Sequence, residues 1–149
     1  MSKNGVTSIL KNLIKTCRAG QNAFRSAAEN IQNSEFRRLF NIFSQQRAQF
    51  MTELQTEVHR LEGGGQAEES AKEQDNTLPF RSSKTSQTTG FRDEASVIAE
   101  CQREEEAAVI EYQKALEADL PLDVQYVVKR QYMDIKDAYD RIRILQRAA

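Results

Sequence analysis

Residues 34–65, SEFRRLFNIFSQQRAQFMTELQTEVHRLEGGG, decide how the rest of the chain is read. Phe36, Phe40, Phe43, Arg47, Phe50, Leu54 and Leu61 recur at alternating spacings of four and three, and only Glu57 breaks the apolar side of the run. That alternation lines one face of a helix and is the seam pattern of bundles packed like coiled coils. Asn33 or Ser34 can open this helix by accepting hydrogen bonds from its free N–H groups. Gly63-Gly64-Gly65 closes it, because glycine tolerates the left-handed conformation at a helix C-terminus.

The same spacing appears three more times. Val6, Leu10, Leu13, Cys17, Gly20, Phe24, Ala27 and Ile31 form a stripe before this segment. Ile98, Cys101, Glu105, Ala108, Tyr112 and Ala115 form a third, which Asp93 can cap. The fourth is Val124, Val128, Gln131, Ile135, Ala138, Ile142 and Leu145, with Pro121 suited to its first turn. Flanking Leu39, Val58, Val97, Val127 and Tyr139 widen the stripes beyond a two-stranded seam, so a closed bundle is expected. The expected helices are 5–32, 34–62, 93–118 and 121–147, in one all-α domain over residues 1–149, with a mobile polar linker over 63–92.

Loop lengths set the topology. The first and second helices are separated by a few residues, as are the third and fourth, so each pair is an antiparallel hairpin. The middle linker can reach about 90 Å extended, against about 42 Å for a 28-residue helix. It can therefore cross the full length of the bundle and join the hairpins in the ferritin-like order up, down, down, up. The alternative is a hairpin-connected bundle with a floppy excursion. Charge bears on which helices are neighbours. Residues 1–33 carry Lys3, Lys11, Lys15, Arg18 and Arg25 against Glu29, whereas residues 93–119 carry nine acids against Arg103 and Lys114. Opposite fields place the first helix beside the third, unless the two faces are solvated independently.

Composition removes several function classes. The 149 residues carry a net charge of −1, with 39% hydrophobic and 29% charged side chains, six glycines, two prolines and no tryptophan. Near-neutrality gives no general attraction to nucleic acid or to an anionic membrane. No run approaches the roughly 18 apolar residues of a membrane span, and no signal-peptide core follows the start. The basic first 28 residues have the charge of a transit peptide, yet they also supply the first helix of the bundle. Cys17 and Cys101 both lie on apolar stripes, as reduced core thiols in a cytoplasmic protein would, although a bridge between them remains open at this level. Gly63-Gly64-Gly65 closes a helix rather than opening one, and no Lys-Ser or Lys-Thr follows it, so it is not a phosphate loop.

The runs LKNLIKTCRAGQNAFRSAAENI (10–31), SEFRRLFNIFSQQRAQFMTELQTEVHRLEGG (34–64), IAECQREEEAAVIEYQKALEADLP (98–121) and VKRQYMDIKDAYDRIRIL (128–145) resemble a bacterial family of uncharacterised ferritin-like four-helix-bundle proteins. Its strongest parts are QRAQFMTELQTEV (46–58) and the hairpin from EYQKAL (111–116) to DLP (119–121). The resemblance implies the fold and, as an expectation only, a stress context. It also raises the question of a di-iron centre.

Such a centre takes a Glu from each of two helices and a Glu-x-x-His from each of the other two. This chain has one histidine, His59, preceded at three residues by Thr56 and placed near a helix end, off the main stripe. With a lone histidine there is also no nucleophile–His–acid set of believable geometry. Counting outward from the short turns, the central layer contains Gly20, Gln21, Gln46, Arg47, Gln49, Glu105, Lys136 and Tyr139, with Glu105 the sole anion. Arg47 and Glu105 interrupt their apolar seams near mid-helix. They read as a buried pair that fixes register, as a modified active centre, or as side chains that snorkel outward. No catalytic, cofactor-binding or metal-ligating residue is assigned and no cofactor is expected. The function expected is non-enzymatic, through self-association or a protein partner, without nucleic acid or membrane. The alternative is a ferritin-like metal-binding or redox protein.

Overall fold

The computed structural model describes residues 3–63 and 93–148. These form four helices: α1, Lys3–Asn30; α2, Ser34–Leu61; α3, Glu94–Glu117; and α4, Leu122–Ala148. The linker expected over 63–92 lies, beyond Gly63, outside the described residues.

Local chemistry explains most ends. The Asn33 side chain accepts from the backbone N–H groups of Glu35 and Phe36 at 2.9 and 3.0 Å, so Asn33 rather than Ser34 caps α2. Across the same turn, the Arg37 guanidinium donates to the Ile31 carbonyl through Nε at 3.2 Å and Nη2 at 3.0 Å. Gly63 follows α2 with φ of 82°, the left-handed conformation expected of a terminating glycine. Two expectations need correction. Asp93 occupies the N-cap of α3 but its side chain makes no capping hydrogen bond; it accepts instead from the Ser96 hydroxyl at 3.4 Å. Pro121 lies one residue before α4, where its carbonyl accepts the first helical bond, from the Gln125 N–H at 2.8 Å.

Helix α1 packs against α2 and α3, and α4 packs against α3 and α2, so α2 and α3 stand on a diagonal. Direction follows from the cross-helix contacts. Asn12 of α1 meets Glu111 of α3, while the N–H groups of Gln32 and Asn33 reach Glu94 at the start of α3, so α1 and α3 are antiparallel. Likewise Gln131 of α4 meets Glu53 of α2, and Asp123 meets Arg60. The order is up, down, down, up, so α2 ends and α3 begins at opposite ends of the bundle. α1 and α3, the basic and acidic helices, are neighbours as their charges suggested.

The stripes face inward. All seven stripe residues within α1, Ile31 just beyond it and all six of α3 are buried, as are those of α4 up to Ile142. Glu57, which interrupts the α2 seam in the sequence, is buried as well. The core nonetheless falls into two apolar clusters. One, near the α1–α2 turn, holds Phe24, Phe40 and Phe43, whose ring centroids lie 5.3 to 6.2 Å apart, together with Ile98 and Ile142. The other, toward the α3–α4 turn, holds Leu10, Leu13, Phe50, Leu54, Tyr112 and Val128. What separates them is polar.

Candidate functional site

Between the two clusters, Arg47 of α2 reaches across the diagonal to Glu105 of α3. Nη1 donates to Oε1 at 2.6 Å and Nη2 donates to Oε2, a bidentate fork with both carboxylate oxygens engaged. The two side chains are 1% and 0% exposed. Only side chains this long can span diagonal helices, and Gly20 of α1 lies alongside the guanidinium. A Cβ added at Gly20 of α1 would lie 3.5 Å from Nη1 and 3.6 Å from Cγ of Arg47. Aromatic rings close the site on either side: the Arg47 guanidinium carbon is 5.2 Å from the Phe24 ring centroid and 5.8 Å from that of Phe50. Arg47 Nε, fully buried, has no acceptor. Burial pushes the Glu105 carboxyl above the usual carboxylate range, and the Arg47 charge and hydrogen bonds pull it back in part. Of the three readings of these residues, the buried pair is the one the geometry realises.

Beside the pair runs a chain of polar groups. The Tyr112 hydroxyl of α3 donates to Gln131 Oε1 of α4 at 2.7 Å and stands 3.2 Å from Cys17 Sγ of α1. Because that hydroxyl proton goes to Gln131, the thiol is the donor to Tyr112. Gln131 Nε2 donates to Glu53 Oε1 at 2.8 Å and to the Phe50 carbonyl at 3.3 Å, and Arg130 Nη2 also donates to Glu53, at 2.8 Å. Burial pushes the Cys17 thiol up to about 11 and the Tyr112 phenol well above its ordinary value. Both are neutral near pH 7. Cys101 is a second buried thiol and is in no disulfide, so no bridge joins it to Cys17.

The layer count from the turns is corrected here. Arg47, Glu105 and Gly20 do meet, but the phenol of the layer is Tyr112 rather than Tyr139, and the amide is Gln131 rather than Gln21, Gln46 or Gln49. Gln49 and Lys136 are exposed, and Gln21, Gln46 and Tyr139 are half-buried. His59 is half-buried in the last turn of α2, one turn beyond Thr56. A shallow groove of about 270 Å³ lies between α1 and α3, and its rim is tied by a 2.8 Å hydrogen bond from Asn12 to Glu111.

The donor set does not suit a di-iron centre. Such a centre needs a carboxylate from every helix and two imidazoles. Among the described residues, Glu105 is the fully buried carboxylate at mid-bundle and both of its oxygens accept from a guanidinium; the nearby Cys17 thiol and Tyr112 phenol are protonated, and Glu53 at the edge of the layer already accepts from Arg130 and Gln131. Among the described residues, no three His, Cys, Asp or Glu side chains gather into a metal-holding group. A cation at this level would meet the fixed charge of Arg47.

A family model described as Domain of unknown function (DUF2383) matches residues 5–118, the span of α1 to α3. No curated protein matches the sequence. Among solved structures, the chain is similar to a two-domain protein of Anabaena variabilis containing DJ-1/ThiJ/PfpI-like and ferritin-like domains, with a TM-score of 0.83 at 16% identity. The match covers 99% of this chain and 40% of that one, so the likeness is one of fold. No helix among the described residues is long and apolar enough to cross a membrane.

Proposed function

From the premise that the chain belongs to the DUF2383 family and has a ferritin-like fold, we propose that it is a non-catalytic bundle that works by self-association or through a protein partner. The observation that carries this reading is the Arg47–Glu105 fork, which fills mid-bundle with a closed ion pair. A carboxylate engaged on both oxygens is a poor ligand and a poor general base. The thiol and phenol beside it are held protonated by burial, so neither is a ready nucleophile. Side chains that could meet a partner lie outside the core instead: Ile42, Ile110, Leu122, Tyr126, Met133 and Ile144 are large, apolar and exposed. Two buried thiols outside any disulfide suit a reducing, cytoplasmic setting, and no nucleic acid or membrane is needed. A stress context is part of the proposal.

Metal content tests it. Purified protein incubated with ferrous iron and then mildly chelated is expected to retain less than one iron per chain and to oxidise iron no faster than buffer. Two irons retained per chain would overturn the proposal and favour the metal-binding or redox reading.

A further inference from the structure

The exposed apolar residues are not scattered. Of the six among the described residues, four are on α4: Leu122, Tyr126, Met133 and Ile144, which are 82%, 69%, 65% and 62% exposed. At 3.6 residues per turn they fall within an arc of about 40°. That arc is opposite the face α4 turns to the core through Val124, Val128, Ile135 and Ile142. α4 therefore carries two stripes, one buried in its own bundle and one uncovered. Exposed Lys129, Asp137 and Asp140 lie along the uncovered stripe between its apolar members.

We propose that this outer face is where two copies of the chain pair, antiparallel and two-fold symmetric about Met133; the inference rests on the self-association reading above. The choice of a second copy comes from the order of side chains along the stripe. Leu122 and Ile144 are equidistant from Met133, as are Tyr126 and Asp140, and Lys129 and Asp137. A two-fold axis at Met133 sets each residue against its counterpart on the other copy. Leu122 then faces Ile144, the Tyr126 phenol faces the Asp140 carboxylate, the Lys129 ammonium faces the Asp137 carboxylate, and Met133 packs on itself. A parallel in-register pair would instead oppose Lys129 to Lys129, Asp137 to Asp137 and Asp140 to Asp140. The arrangement is self-complementary in one direction only. Asp137 is held at 3.0 Å by Arg141 in its own helix, but both side chains are well exposed, so it is free to turn toward Lys129 of a second copy. Lys136 sits on the shoulder of the stripe, one turn from Asp140. From Leu122 to Ile144 the seam runs about 33 Å, close to the full length of α4.

The test is sedimentation equilibrium of the full chain over a wide concentration range, with charge reversal and cross-linking. A concentration-dependent dimer is expected. Lys129→Asp and Asp137→Lys should each raise its dissociation constant about tenfold or more, and the double variant should restore it. Met133→Cys, on the axis, should cross-link to itself under mild oxidation within the dimer, while Ile110→Cys on α3 should not. Cys17 and Cys101 are buried and should not compete. A dimer indifferent to both reversals, or one not restored by the double variant, overturns this face and register and leaves self-association standing. A chain that stays monomeric at every concentration overturns the pairing and removes self-association from the wider reading.

Discussion

The hydroxyl of Tyr112 lies between helices that do not share a turn: it donates to Gln131 Oε1 of α4 at 2.7 Å and receives the Cys17 thiol of α1 at 3.2 Å. One oxygen thus ties α1, α3 and α4 together at the side of the ion pair. Tyr112→Phe keeps the ring and removes that oxygen, leaving the Gln131 carbonyl and the Cys17 thiol without their partner. The cost expected is about 1–3 kcal/mol, the penalty for an unsatisfied buried polar group. Urea unfolding measures it, and a loss under about 0.5 kcal/mol would mean that the hydroxyl holds nothing.

Burial of Cys17 makes a pH-dependent prediction. Its thiol ionises near 9.0 in an exposed setting and at about 11 in the folded protein. The folded state therefore keeps a proton that the unfolded state gives up. Cys17 should contribute stability in full below pH 9.0 and lose it as the pH rises toward about 11, a slope that Cys17→Ala should flatten. At pH 8 the native thiols should resist iodoacetamide and react once the chain is unfolded in urea. Equal rates in both states would contradict the burial.

Gly20 is a glycine in the middle of a helix, a costly choice unless something requires it. A Cβ there would meet Arg47 at 3.5 Å, which is ordinary van der Waals contact. Gly20→Ala should consequently be neutral or stabilising, by up to about 1 kcal/mol, because alanine loses less backbone entropy in a helix. Gly20→Leu should push the guanidinium off Glu105 and destabilise strongly. Thermal melts of the two variants separate these outcomes, and equal destabilisation by Ala and Leu would show that there is no spare space at all.

Much of this was legible before any coordinates. The alternation of four and three from Val6 to Leu145 marks the four helices, and each observed end lies within two residues of its expected place. Arg47 and Glu105 stand out because they interrupt apolar stripes, and the crossover order, with antiparallel neighbours, sets α2 and α3 on a diagonal that only long side chains can cross. The rest of the layer was not legible. Which side chains meet depends on how far one helix slides along another, and counting from turns is loose by about one helical turn (roughly 5 Å). Gln49 and Lys136 miss for another reason: two and one residues from buried Arg47 and Ile135, they sit on outward faces of their helices. Asp93 shows a different limit: its residue type suits a cap, but whether it caps is decided by a side-chain rotamer. The outer stripe of α4 was in the sequence too, hidden because Leu122, Tyr126, Met133 and Ile144 share their helix with a stronger inner stripe.

The central claim is that Arg47 and Glu105 are each other's charge partners at mid-bundle. A double-mutant cycle by denaturant unfolding of Arg47→Met, Glu105→Leu and the combined variant tests it most directly. Each single change strands a buried charge and should cost about 3–5 kcal/mol. The combined change should be near neutral, or even stabilising, since it also removes the unsatisfied Arg47 Nε. Single costs that simply add in the double variant would show that the two side chains do not act as a pair, and would contradict the account.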